Sequence, residues 1–448
     1  MITPGKEDAG IWHILKIKLV KGFVGAALAR IGGLCLGFCI TAVLARTMGP
    51  SGFGTYTFIL AVISVLSVPV QFGLPQLVTR ETARGKEDSS WGLIKGLWRW
   101  SGGLSAVISF GAGIVIACIL ELVSVNYHIE HHREIILALI SLPLMALNSL
   151  TSSALTGLKY ITLGQLGDNV LRPALFLSLL IILLLWRPGA GLNVGEAIVF
   201  FVTAAAVSLV INLGLLRSVR PGELAVISPA YDGRVWINSA TALAFVSALP
   251  IINQQVDLLL LGTLSSNSEL GTYRVASQLS LLAGFVLQII NLVIAPYISE
   301  LYANKHMERL QELITHSART GLAGSVIVGL VFFIFGSAIL SIAFGNEYVS
   351  GVNSLRILII GQLINAAMGS VGVLLNMTRN ERLAARGMAI ATLLNIILNI
   401  LLIPKFGKEG AAIASCTSII IWNIILWRSI HTRLGLDTTA FKLAKIID

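Results

Sequence analysis

Apolar residues run through this chain in long unbroken stretches separated by short polar turns. A helix that crosses a bilayer needs about 18 or more such residues, whereas the strands of a membrane barrel alternate over segments of about 10. The stretches are continuous, so the pattern predicts helices. Twelve spans follow: Gly22–Arg46, Tyr56–Val78, Leu97–Leu120, Ile135–Leu158, Ile161–Trp186, Glu196–Leu216, Val235–Leu261, Thr272–Ile298, Gly321–Phe344, Val352–Met377, Leu383–Ile403 and Gly410–Trp427. Ahead of the first, "IWHILKIKLVKG" sets Trp12, Leu15 and Leu19 near one face with Lys16, Lys18 and Lys21 beside them, the pattern of a short helix lying in the interface. No small-residue cleavage site follows a short apolar region, so this is not the pattern of a signal peptide. The expectation is an all-α integral membrane protein.

Composition agrees: 55% of the residues are hydrophobic and 12% charged, against about 25% charged in an ordinary soluble domain. Charge then sets orientation, because the cytoplasmic side of a membrane protein retains Lys and Arg. With the N-terminus inside, only Arg46, Arg133, Arg187, Arg274, Arg356, Lys405 and Lys408 fall in outer segments, and Arg30 and Arg172 fall within spans. The rest of the 32 basic residues flank the membrane on the inner side, which places both termini in the cytoplasm. The net charge of +10 is spread over those flanks instead of one patch, so nucleic acid is not an expected partner.

The chain also repeats itself. Gly54-Thr55-Tyr56 opens the second span from the outside, and Gly271-Thr272-Tyr273 opens the eighth from the same side. A recurrence at a six-span offset with the same topology implies two parallel six-helix halves, 1–216 and 235–448, joined by the polar cytoplasmic linker 217–234. Parallel halves about an axis along the membrane normal are a transporter architecture, with substrate bound where the halves meet.

No loop is long enough to hold a folded catalytic domain. The sequence carries no nucleotide-binding loop, no paired glycine-rich phosphate cradle and no HExxH, so ATP-driven pumping and metalloprotease chemistry lack their motifs. No catalytic residues, cofactor or metal are expected. "HIEHHRE" at His128–Glu134 reads as a solvated loop, and Cys35, Cys39, Cys118 and Cys416 as apolar packing residues.

Four segments carry a resemblance: "LARTMGPSGFGTYTF" at Leu44–Phe58, "FGLPQLVTRETARG" at Phe72–Gly85, "QQVDLLLLGTLSSNSELGTYRVASQL" at Gln254–Leu279 and "APYISELY" at Ala295–Tyr302. Through them the chain resembles the polysaccharide repeat-unit flippases (O-antigen and exopolysaccharide) of the multidrug/oligosaccharidyl-lipid/polysaccharide exporter superfamily. The resemblance implies a V-shaped bundle of two six-helix lobes in the bacterial cytoplasmic (inner) membrane. It implies a protein that is not an enzyme and that moves an undecaprenyl diphosphate-linked oligosaccharide to the outer leaflet without hydrolysing ATP.

Such a cargo asks for cations and hydrogen-bonding groups along its path. Arg30 lies inside the first span, where a charge costs at least about 2.5 kcal/mol and turns toward protein or water; snorkelling to the cytoplasmic surface is the other reading. Asp168 and Arg172 stand four residues apart, close enough to neutralise each other, or Arg172 binds phosphate. Gln165 and Asn169 extend that polar stripe. After Pro250 come Asn253, Gln255 and Asp257. Asp257 is either the structural partner of Arg274 or a site for a coupling proton or sodium ion. Arg30, Arg172 and Arg274 form the expected substrate-binding set, because a guanidinium fork gives phosphate two parallel hydrogen bonds.

The reading is therefore a lipid-linked oligosaccharide flippase working by alternating access, with coupling to a proton or sodium gradient. Its expected partners are the lipid-linked oligosaccharide, membrane lipids and polysaccharide-assembly proteins, and the expected state is a monomer. The alternative is a drug or organic-cation antiporter of the same superfamily. A membrane-embedded glycan polymerase or ligase is disfavoured by the short external loops.

Overall fold

The computed structural model describes residues 6–126, 131–187, 189 and 191–441, which form helices and turns with no strand among the described residues. Among the described residues, ten stretches are long and apolar enough to cross a membrane. Two of them are double: one is interrupted at Gly49 (φ 67°) and the other at Gly407 (φ 52°). The count of membrane-length helices thus reaches the twelve expected.

In chain order the helices are α1 (6–48), α2 (50–71), α3 (Leu74–Glu87), α4 (Trp91–Asn126), α5 (His132–Leu139), α6 (Ser141–Gly157), α7 (Ile161–Trp186), α8 (Val194–Val219), α9 (Glu223–Val226), α10 (Gly233–Leu264), α11 (Asn267–Ala303), α12 (Met307–Phe344), α13 (Val352–Met368), α14 (Val371–Met377), α15 (381–406) and α16 (408–434). The side chains of Trp12, Leu15, Leu19 and the neighbouring lysines lie outside the described residues, as does His128.

Three expected spans are interrupted. The second does not run through to Val78: the helix stops at Gln71, Phe72 and Gly73 take positive φ, and α3 restarts with Pro75 in its first turn. Proline is tolerated there because a first-turn N–H has no intrahelical partner. A Cβ at Gly73 would lie 2.6 Å from Ala244 N and 2.7 Å from Ala240 O, so only glycine lets this turn touch the backbone of α10. The fourth span divides at Ile140 into α5 and α6, three residues ahead of Pro143. The tenth divides at Gly369, φ 75°, into α13 and α14. Within the fifth span, Gly167–Leu171 form a π-helical turn in which Arg172 N–H donates to Gly167 O. Pro173 follows it and removes the donor that an α-helical ladder would use there.

The chain divides into two compact units. The first comprises Met1–Ile40, Leu66–Ala190 and Gly195–Ser247; the second comprises Thr41–Val65, Gly191–Val194 and Ala248–Asp448. In the first unit, Leu74, Leu77 and Val78 of α3 pack with Leu97, Leu150 and Trp236, and the Trp100 and Trp236 rings lie 5.5 Å apart. In the second, Ile294, Ile298, Leu310, Leu374 and Ile430 share one core, and Leu258, Leu270, Tyr273 and Ala411 another. The glycines of "GGLSAVISFGAG" at Gly102–Gly113 have open space: nothing lies within 4 Å of where a Cβ would stand at Gly102, Gly103, Gly111 or Gly113. Cys35, Cys39 and Cys118 are likewise exposed, whereas Cys416 is buried.

The two Gly-Thr-Tyr copies meet inside the second unit. A Cβ on Gly54 would fall onto the carbonyl oxygen of Asn267, and one on Gly271 onto that of Pro50. Each glycine therefore rests on the carbonyl four residues ahead of the other, a two-fold exchange between α2 and α11. Nearby, Arg46 donates from Nε to Ala343 O at 2.9 Å and from Nη2 to Ile342 O, and Tyr348 Oη donates to Ala45 O at 3.0 Å. Arg46 thus caps the carbonyl end of α12, where intrahelical donors run out and the helix dipole favours a cation. Arg46→Ala is expected to lower stability by about 1–2 kcal/mol, the range for a charged hydrogen bond at a partly exposed site. Thermal unfolding in detergent checks this, with Arg46→Lys recovering part of the loss.

Candidate functional site

In each unit one aspartate, Asp168 or Asp257, accepts hydrogen bonds from uncharged side chains of neighbouring helices. In the first unit, Asp168 lies in the π-helical turn of α7. It accepts from Asn148 Nδ2 at 2.6 Å and from Ser152 Oγ at 3.2 Å, both on α6. Asn212 of α8 donates to Asn148 Oδ1 at 2.6 Å, and Ser208 Oγ donates to Gly167 O at 3.3 Å. Asn148, Ser208 and Asn212 are buried. The turn is glycine at 167 because a Cβ there would strike the Asn212 amide. Gln165 Oε1 and Asn212 Oδ1 have no partner among the described residues.

Arg172, four residues on, is not paired with Asp168: no ion pair joins them among the described residues. Its guanidinium carbon instead lies 5.8 Å from the centre of the Phe201 ring, within cation–π range. Asn169 is half-buried, and its backbone carbonyl occupies the space beside Gly33 of α1. Arg30 is exposed. At about 100° per residue it stands about 60° around α1 from Gly33, on the flank of the α1–α7 contact.

In the second unit, Asp257 of α10 accepts from Tyr273 Oη at 2.9 Å, from Asn399 Nδ2 at 2.8 Å and from Ser415 Oγ. Tyr273 Oη and Ser415 Oγ are themselves 3.3 Å apart. Asn399 also donates to Asn395 O at 2.9 Å and Asn395 Oδ1 at 3.0 Å, while its own Oδ1 is buried without a partner among the described residues. No ion pair links Asp257 to Arg274 among the described residues, so the carboxylate is met by hydroxyl and amide groups alone. Asn253 Oδ1 accepts from Thr392 Oγ1 at 3.0 Å; Gln255 and Arg274 are half-buried. Arg30 and Arg172 belong to the first unit and Arg274 to the second.

The helices that complete these sites were not singled out in the sequence. Asn395 and Asn399 carried a readable signal: two amides one helical turn apart in an apolar run share a face. Asn148, Asn212, Ser152 and Ser415 carried a weaker one, since single polar residues are common in membrane helices. Among the described residues no group of His, Cys, Asp and Glu is placed to hold a metal, and His131 Nδ1 lies 3.9 Å from Glu134.

Helices long and apolar enough to cross a membrane define a multi-pass membrane protein. A family model described as polysaccharide biosynthesis protein matches residues 19–302, and one described as MatE matches 242–401. The chain belongs to the polysaccharide biosynthesis protein family of the multidrug/oligosaccharidyl-lipid/polysaccharide exporter superfamily, and is a transporter rather than an enzyme. Among its relatives is the probable low-salt glycan biosynthesis flippase Agl15 of Haloferax volcanii, 22% identical over 413 residues that cover 91% of this chain and 82% of the relative. The capsular polysaccharide biosynthesis protein CapF of Staphylococcus aureus is 26% identical over 38% of this chain and 43% of its own. Two solved structures share the fold. An inward-facing MATE family transporter of the MOP superfamily aligns with a TM-score of 0.75 at 12% identity, over 91% of this chain and 98% of its own. Lipid II flippase MurJ aligns with 0.71 at 14%, over 92% and 87%.

Proposed function

We propose that the protein carries an undecaprenyl diphosphate-linked oligosaccharide repeat unit from the cytoplasmic to the outer leaflet of the bacterial inner membrane, for cell-surface polysaccharide assembly. Transport proceeds by alternating access between halves 1–216 and 235–448, both termini are cytoplasmic, and the protein works as a monomer beside polysaccharide-assembly proteins. Arg30, Arg172 and Arg274 bind the diphosphate, and Gln165, Asn169, Asn253 and Gln255 offer hydrogen bonds to the polar head. A proton or a sodium ion at Asp257, with Asp168 as its counterpart in the first half, couples the cycle to a gradient.

The observation that carries this reading is Arg172. A guanidinium well inside a membrane span costs free energy that a neighbouring carboxylate would offset. Here the carboxylate one turn away is engaged by Asn148 and Ser152, and Arg172 rests on Phe201. A cation kept apart from an available acid fits an anionic cargo better than an organic cation, which favours a flippase over an antiporter. Names among the relatives, a glycan biosynthesis flippase and a capsular polysaccharide biosynthesis protein, support the same cargo class.

The test is accessibility of a fluorescent diphosphate-linked oligosaccharide lipid in proteoliposomes. Wild-type protein is expected to expose the lipid to an external probe, with Arg172→Ala slowing this at least about tenfold and Arg30→Ala less, since loss of a charged hydrogen bond to phosphate is worth about 1.5–3 kcal/mol. Exchange of organic cations with no movement of the lipid would replace this reading with the antiporter.

A further inference from the structure

The chain that follows α16 turns back into the second unit. Gly435, at φ 65°, ends the helix, and Leu436, Thr438 and Ala440 are buried. Gln311 of α12 grips the backbone of Asp437 on both sides: Asp437 N–H donates to Oε1 at 2.9 Å, and Nε2 donates to Asp437 O at 2.6 Å. Trp427 Nε1 donates to the Asp437 carboxylate at 3.1 Å, and Arg319 Nε donates to Ala440 O at 3.1 Å. Gln311 and Arg319 are separated by about 12 Å along α12 at helical rise. The segment therefore lies alongside that helix and does not merely cross its end.

It leads to the break between α13 and α14. A helix that stops inside a membrane span leaves its last carbonyls without intrahelical donors, and these must be satisfied within the protein. Ala440 N–H donates to Ala367 O at 2.9 Å, which supplies one such donor. Gly369, the residue of the break, has its Cα against Thr438: a Cβ there would strike the Thr438 carbonyl. At the same junction the hydroxyls of Ser370 and Thr438 are buried with no partner among the described residues. Stranded hydroxyls oppose burial, and water restores their hydrogen bonds when the junction opens. A few directed backbone bonds thus hold the contact, and a local polar penalty works against it.

We propose that residues 436–440 are a detachable strap that keeps the α13–α14 joint bent at Gly369, and that strap and joint open together while the flanking helices stay folded. Opening straightens or loosens the cytoplasmic half of the tenth span, and the grip of Gln311 and Arg319 sets how often this happens. The proposal concerns motion within the second unit and stands whatever the protein carries.

Hydrogen–deuterium exchange of the full chain in lipid nanodiscs tests it. In the wild-type protein, peptides covering 366–372 and 436–441 are expected to exchange at one common rate, faster than 352–365. Gln311→Ala should raise both rates by about tenfold and leave 352–365 unchanged, as loosening one local opening unit would. Arg319→Ala, which loosens the far end, should do the same and carries the test if Gln311→Ala fails to fold. Faster exchange of 436–441 alone, or no change in either peptide, overturns the proposal, because the tail would then cover the joint without controlling it.

Discussion

Asp257→Asn is expected to give a folded protein whose transport no longer responds to an imposed proton or sodium gradient. Asparagine has nearly the same shape, so packing is preserved; what changes is charge and hydrogen-bond polarity. Asp257 accepts from Tyr273, Asn399 and Ser415. The two hydroxyls can rotate to accept from a new amide, but Asn399 Nδ2 is a donor only and is also committed to Asn395. On the proposed coupling role, a cation at Asp257 would meet only neutral hydroxyl and amide groups there, with Asn399 Oδ1, buried without a partner among the described residues, as a further oxygen. A coupling free energy of about 1.4 kcal/mol corresponds to a tenfold change in equilibrium, so the ratio of rates with and without a gradient is the sensitive readout. That ratio should fall to unity in Asp257→Asn while gradient-free exchange persists. A variant that keeps the full gradient response would move the coupling role away from Asp257.

Span number was legible because each crossing needs its own run of apolar residues, and nothing else in a protein needs so many. Where a span breaks was much less so. Pro75, Pro143 and Gly369 mark real interruptions, but Pro250 and Pro296 sit inside continuous helices α10 and α11. Local sequence does not separate these cases, because neighbouring helices decide whether a missing hydrogen bond is replaced. Gly73 shows the same dependence, since it needs to be glycine only because α10 passes against it.

The candidate site divides along similar lines. In-span charges could be found by position alone, since each is costly in lipid and so stands out. Their partners could not. Spacing offered Asp168 to Arg172 and sequence neighbourhood offered Asp257 to Arg274, yet both carboxylates are satisfied by amides and hydroxyls on other helices. Helix-to-helix contacts choose among donors of similar chemistry, and those contacts involve residues far apart in the chain. The repeated Gly-Thr-Tyr motif was visible as a repeat, but that its two copies would pack on each other was not.

That packing yields the largest expected effect on stability. Alanine at Gly54 places a methyl on the Asn267 carbonyl and 3.0 Å from Gly271 N; alanine at Gly271 places one on the Pro50 carbonyl and 3.0 Å from Gly54 N. The obstructing atoms are backbone, so neither clash is relieved by a side-chain rotation, and α2 must move away from α11. Overpacking of a tight core costs about 1–3 kcal/mol, and the upper end applies here because Tyr273 and Leu270 of the adjoining core move with the helix. Once the helices have separated for the first methyl, the second enters space already opened. Gly54→Ala combined with Gly271→Ala should therefore cost clearly less than the two single changes added together, a coupling that residues in direct contact show and distant ones do not. Thermal or denaturant unfolding of the four proteins in one detergent measures it. Strict additivity would mean that the two glycines do not share a crossing, and the two-fold exchange between α2 and α11 would have to be abandoned.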